Sequence, residues 1–348
     1  MKKNFLKKLE KYFAESEKGC KFAVLDSAIA SQRTAYQGGT FIFMDPVTGL
    51  SMEYLHQPLE VEKLISILES KNLVVEDKDF ARNFLENVSY FRFSTYLQPF
   101  EEENKKTFKP QSSFYTAVKL YNFDKELRNL LFPCIQEIEV SLRTKIINYI
   151  SLKYGAFWFL DSSLAVDKHK YTENIYALEK GLQHTKTDFI DTHYQKYDRE
   201  SYPPIWKMME LTTFGQLTKI YCNFSDKQLK KKIARSYGLP QYQILESWMK
   251  SLNILRNSCA HHERIWNRTM PIMPQLSVSL TRPWISEKPK INNKLYAVLC
   301  CLIYWLKAID PKHPIVEDFK RLLVRYPMID PFAMGFPKNW KEQCIFDE

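Results

Sequence analysis

The sequence predicts a mainly α-helical protein, and three observations lead there. From Leu59 onward apolar residues recur at three- and four-residue intervals over most of the chain. One block, Phe114 to Tyr154, keeps that period for about forty residues. Strand-like alternation is confined to a single short segment near the N-terminus. There is no internal repeat and no low-complexity tract.

In chain order, residues 4–35 read as one or two helices. Thr40 to Tyr54 reads as a β-hairpin, with TFIFMD and LSMEYL flanking a Pro46-Val47-Thr48-Gly49 turn. Helical patterns come next in VEKLISILESKN and DFARNFLENVSYFRFSTYL. The Phe108 to Ser113 stretch, containing Pro110, is the best domain boundary. Phe114 to Tyr154 is then one helical block with Pro133 as its candidate break. Within it, Asp124 with Arg128 and Glu139 with Arg143 stand four apart, the spacing of same-face ion pairs. The other role open to Glu139 or Arg143 is to orient a neighbouring helix. Ser162 to Ser201 is polar and irregular, and reads as an insertion with its own helix. Two further helices fit Asn292 to Ala308 and Ile315 to Arg325, separated by Pro311 and Pro314. The expected organisation is an N-terminal extension with the hairpin (1–54), a helical subdomain (55–112) and a larger helical domain (113–348) with an insertion near 162–201.

At 348 residues the chain is long enough for a sizeable core, and 45% hydrophobic with 26% charged residues is a globular composition. Its longest apolar run, Leu295 to Leu306, is too short to span a bilayer, and the basic start MKKNFLKKLEKYF lacks a following apolar region. A cytoplasmic protein without membrane association is expected. Seven cysteines, from Cys20 to Cys344, show no C-x-x-C pair and read as buried reduced thiols. A net charge of +10 makes a polyanion the expected partner. The densest basic stretch, KQLKKKIAR, offers Lys230, Lys231, Lys232 and Arg235 as candidate phosphate contacts; a solvated helix face is the alternative.

The most informative segment is Gln241 to Asn267, read as one helix after a Gly238-Leu239-Pro240 stop. Ile244, Leu245, Trp248, Met249, Leu252, Leu255, Cys259 and Ile265 form its core stripe. Beside it runs a polar stripe, Asn253, Asn257, His261, Arg264 and Arg268, with Arg256 one residue off the line. Arg256 and His261 together suit proton transfer next to a phosphate. A regular helix sets them about 140° apart, so either the helix distorts or they meet across an interface with a second copy. Cys259 falls on the core stripe and reads as packing. His261 and His262 point apart and no Cys/His cluster accompanies them, so no metal site and no cofactor are expected.

The string LRNSCAHHERIWNR, Leu255 to Arg268, resembles the signature of the Abi family, the abortive-infection proteins of the AbiD and AbiF type. These belong to the HEPN superfamily, whose R-x4-6-H motif marks metal-independent endoribonucleases. Four more strings resemble the family in its order: Asn87 to Tyr96, Leu120 to Ile146, Pro203 to Leu217, and Met334 to Pro337 with Trp340. The resemblance covers about residues 55 to 345. It implies a HEPN-like helical bundle, with the N-terminal helical region and hairpin as additions. It also implies a bacterial antiphage or toxin-antitoxin component that cleaves RNA, with a small non-coding RNA as antitoxin or guide. Arg256 and His261 would be catalytic and Asn257 would orient one of them. His262 and Arg264, and more remotely Arg268, either hold neighbouring phosphates or cap the helix and pair with carboxylates such as Glu263. Superfamily members combine two such motifs, and this chain holds one, so a homodimer is expected. Two other readings stay open: a non-catalytic RNA-binding or effector-sensing protein, and a polar stripe that only builds a dimer contact.

Overall fold

The computed structural model describes residues 34–37, 40–43, 58–103, 106–277, 280–291 and 293–347. The chain divides into two compact units, 1–64 and 65–348. The division falls ten residues later than the expected 54/55, and none falls at 112/113. Aromatic packing explains the second difference. Phe84 and Phe93 stack edge-on and tilted against Phe114, with ring centroids 5.8 and 4.9 Å away, so the early helices share a core with the long helix that begins there.

In the first unit, β1 (Thr34–Gln37) pairs antiparallel with β2 (Thr40–Phe43), Thr34 opposite Phe43 and Gln37 opposite Thr40. The expected TFIF strand is present as β2 and takes the segment before it as a partner. Gly38-Gly39 between the two strands has the composition of a tight two-residue connection, a stronger signal than the Pro46 to Gly49 turn. The expected LSMEYL strand, Cys20 and all but the end of the helices expected over residues 4–35 lie outside the described residues; Thr34 and Ala35 are corrected to strand, in β1.

Twelve helices come after it among the described residues. Helices α1 (Val61–Ser70), α2 (Lys78–Asn87) and α3 (Tyr90–Leu97) lead to α4 (Phe114–Tyr154), and Asp77, Ser89 and Ser113 cap the last three through side-chain oxygens. Helix α4 has 41 residues and is about 60 Å long. It continues through Pro133, which is exposed, because Leu131, Cys134 and Ile135 on either side are buried and hold the helix in place. Next come α5 (Lys168–His184) and α6 (Asp188–Lys196) in the expected insertion, then the short α7 (Ile205–Met208), α8 (Phe214–Asn223) and α9 (Lys227–Arg235). Helices α10 (Tyr242–Ala260), α11 (Leu295–Ile309) and α12 (Ile315–Arg325) complete the set.

Helix α4 is the spine, packing against α3 and α7 to α12. Every residue of α11 from Leu295 to Leu306 is buried, as a helix apolar on all sides requires, and it rests on α4 and α10. Helix α10 runs antiparallel to α4. Ser141 meets Tyr237 just before α10, Phe132 lies under Arg256 within it, and Asp124 meets Ile265 beyond it. No described helix is long and apolar enough to cross a membrane. Cys134, Cys259, Cys300 and Cys301 are buried free thiols, Cys222 is half-buried and Cys344 exposed.

Pro133 removes one helical N–H in mid-helix without contributing buried surface. Replacing it with alanine should raise the unfolding free energy by about 1–3 kcal/mol in urea denaturation; a loss of stability would show that α4 needs the proline.

Candidate functional site

Helix α10 ends at Ala260, seven residues short of the expected Asn267. The chain leaves it in a Schellman turn: His262 N–H donates to Cys259 O at 3.2 Å and Glu263 N–H to Ser258 O at 2.9 Å. His262 occupies the left-handed position with φ of 56°, where glycine is usual. Arg264 and Arg268 are thus not on the helix with Asn253 and Asn257, and the five-residue stripe is corrected to those two plus the capping His261.

A carboxylate near the start of α4 causes the stop. Asp124 is fully buried and accepts from Ile265 N–H at 3.0 Å and Trp266 N–H at 2.6 Å. It also accepts from the Tyr96 hydroxyl at 2.7 Å and from the Arg128 guanidinium. A buried carboxylate with these four donors is fully solvated by protein, and it pins the segment after α10 away from helical geometry. Burial and the neighbouring carboxylate both push the Tyr96 phenol upward, so it stays a donor. For Arg128, burial is the largest influence and opposes the charge, but Asp124 together with Tyr96 and Tyr121 outweighs it and raises the pKa.

Three more arginines fasten the same segment. Arg92 of α3 donates to His262 O, and Arg264 donates back to Thr95 O at 2.7 Å. Arg268 binds the Glu263 carboxylate and Ser258 Oγ. Burial acts to raise the Glu263 carboxyl, but Arg268 and Ser258 hold it below the usual glutamate range. Arg264 and Arg268 thus each make a bond of the capping or pairing kind expected for them. Arg128 adds a bond to Glu263 O at 3.1 Å.

Against this background Arg256 differs. It is half-buried, its Nε is buried without a partner, and its guanidinium lies 5.9 Å from the Phe132 ring centroid. Among the described residues no carboxylate or carbonyl pairs with it. His261 and His262 are exposed, and Asn257 is half-buried, its carbonyl accepting from His261 N–H at 2.9 Å. No hydrogen bond among the described residues joins Arg256 to His261. The helix is regular up to Ala260, so the two directions stay about 140° apart. Cys259 is packed: burial pushes its thiol up to about 12.

Glu139 and Arg143 do form the expected ion pair, at 2.7 Å. Arg143 also donates to Thr212 O at 3.1 Å. The basic stretch is corrected at one position. Lys230 is 3% exposed, and its ammonium binds Cys222 O, Phe224 O and the Glu246 carboxylate between the rings of Tyr221 and Tyr242. It closes a polar hole in the core and offers nothing to solvent. Lys232 and Arg235 are exposed, and Lys231 is half-buried.

Sequence reasoning reached Asp124 and Arg128 only as a local pair, and Arg92 and Tyr96 only within a string of residues. The signal for their joint role was that three separate strings, Asn87 to Tyr96, Leu120 to Ile146 and Leu255 to Arg268, converge on one carboxylate. Residues 83–267 match the family model described as Abi-like protein. No curated protein and no solved structure matches the chain.

Asp124→Ala takes the counter-ion from the buried Arg128 and leaves two backbone N–H groups buried without an acceptor. Chemical denaturation should show a loss of about 3–5 kcal/mol; a loss below about 1 kcal/mol would mean the carboxylate does not hold the segment.

Proposed function

Because the chain belongs to the Abi-like protein family, we propose that it is a metal-independent endoribonuclease acting in abortive infection. The family membership carries the coarse part, a role in abortive infection and antiphage defence. The nuclease reading is supported chiefly by Arg256, a half-buried guanidinium with an orphaned Nε and no counter-ion among the described residues. An uncompensated cation of this kind is costly unless an anion arrives, and a phosphodiester is such an anion.

RNA carries its own nucleophile, the ribose 2′-hydroxyl. His261 is exposed, and an imidazole is the side chain best suited to exchanging protons near neutral pH. It can take the 2′-proton or return one to the leaving 5′-oxygen. Arg256 stabilises the charge that builds on the non-bridging oxygens. Asn257, one turn before His261, orients one of the two. The bond formed is 2′-O to phosphorus and the bond broken is phosphorus to 5′-O. The products are a 2′,3′-cyclic phosphate and a 5′-hydroxyl.

The 140° between Arg256 and His261 supports a homodimer in which each site takes one residue from each copy. The chain's +10 charge favours RNA as substrate and a small non-coding RNA as antitoxin or guide. The competing reading, RNA binding without cleavage through the same helix, is decided by the same assay.

End-labelled single-stranded RNA incubated in EDTA should give cyclic-phosphate ends with the wild type, and His261→Ala should slow cleavage by about 10²–10⁴. Intact RNA with both proteins, each folded and freed of co-purified RNA, would replace cleavage by binding. Light scattering should give twice the chain mass; a monomer at working concentration would remove the shared site.

A further inference from the structure

Helices α5, α8 and α10 enclose a cleft of about 500 Å³, within the usual range for a small-ligand site. Helix α10 contributes Glu246, Lys250, Asn253 and Ile254 to its wall. Continuing that face, Glu246, Lys250, Asn253, Asn257 and His261 succeed one another at spacings of four, three, four and four. They form one line along the helix. The cleft therefore opens onto the same face as His261, and Asn253 lies about 12 Å along the axis from it.

The chemistry of the lining is uneven. Asp167 pairs with Lys170 at 3.2 Å and Glu246 pairs with the buried Lys230, so both carboxylates are neutralised by protein. Glu173 is exposed and lies 3.6 Å from the His169 ring. Lys219 and Lys250 are exposed and have no ion-pair or hydrogen-bond partner among the described residues. Asn174 and Asn253 are half-buried, and their side-chain amides likewise have no such partner. Val166, Ile254 and Ile272 supply apolar surface. Gly215 makes room for Asn253: a Cβ there would lie 3.3 Å from the amide oxygen. A side chain at this glycine of the Pro203 to Leu217 string would make the Asn253 amide give by a few tenths of an ångström.

We propose that this cleft binds a nucleotide of single-stranded RNA adjacent to the phosphate cleaved at Arg256 and His261, an inference that rests on the nuclease reading above. Lys219 and Lys250 contact its phosphates. Asn253 and Asn174 meet the base edge with a donor and an acceptor each, and the apolar side chains cover the base face. The cleft thereby sets the register of the strand on the site.

The test is fluorescence anisotropy with a labelled, mixed-sequence single-stranded RNA on the His261→Ala protein, so that binding is read without cleavage. Adding Lys219→Gln and Lys250→Gln should weaken binding about tenfold and make the salt dependence shallower by about 0.7 per lost phosphate contact. Asn253→Leu should weaken binding with the salt slope unchanged. Lys312→Gln with Lys338→Gln removes the same charge from exposed positions outside the cleft and is the control. If the two pairs have equal effects, or the cleft pair has none, the cleft is not the subsite, whatever the wild type does to RNA. If the cleft pair and Asn253 matter but the wild type with His261 intact never cuts RNA, the cleft stands and the nuclease reading falls. Both lysines are exposed, and circular dichroism confirms that each variant is folded before binding is read.

Discussion

Asp124 is fully buried and holds the amides of Ile265 and Trp266, the Tyr96 hydroxyl and the Arg128 guanidinium at once. Four donors converging on one carboxylate leave it no freedom, and low dielectric makes each bond strong and each loss expensive. The chain after α10 must therefore turn where it does. That turn puts His262 at a positive φ and leaves His261 exposed at the helix end, with the segment tied to α3 through Arg92 and Arg264. The backbone strain at His262 is tolerated because its carbonyl and the residues after it are held from outside.

The arginines divide by what they already touch. Arg92, Arg128, Arg264 and Arg268 each have an oxygen partner within the protein, and each secures the segment around the motif. Arg256 alone of these five sits over an aromatic ring with its Nε buried and unanswered. The other four each bind an oxygen of the protein, and Arg256 is the one left with a buried nitrogen unanswered among the described residues. Its direction, away from His261 on the same helix, is the reason a second copy enters the account.

Much of the fold was legible because periodicity and capping residues are local. The 41-residue α4 is continuous where Pro133 offered a break, since buried neighbours on both sides outweigh one missing N–H. The Asp124 and Arg128 pair and the Glu139 and Arg143 pair result from i, i+4 spacing alone. The end of α10 was not legible. Nothing between Ala260 and Asn267 breaks a helix locally, and the stop comes from a carboxylate 141 residues before Ile265. Lys230 was misplaced for a similar reason. Its sequence neighbours are surface lysines, and only the fold shows Glu246 and two carbonyls waiting for it. Arg256 and His261 are singled out by residue type and spacing and Asn257 by the family resemblance, whereas the cleft beside them needed three helices assembled.

The most direct test of a site shared between two copies uses Arg256→Ala and His261→Ala chains carrying different tags, co-expressed and purified as the mixed dimer. One of its two sites would keep both residues, so it should cleave RNA at about half the wild-type rate while either variant alone is inactive. A mixed dimer as inactive as its parents would contradict the account, because Arg256 and His261 would then not act together across the two copies.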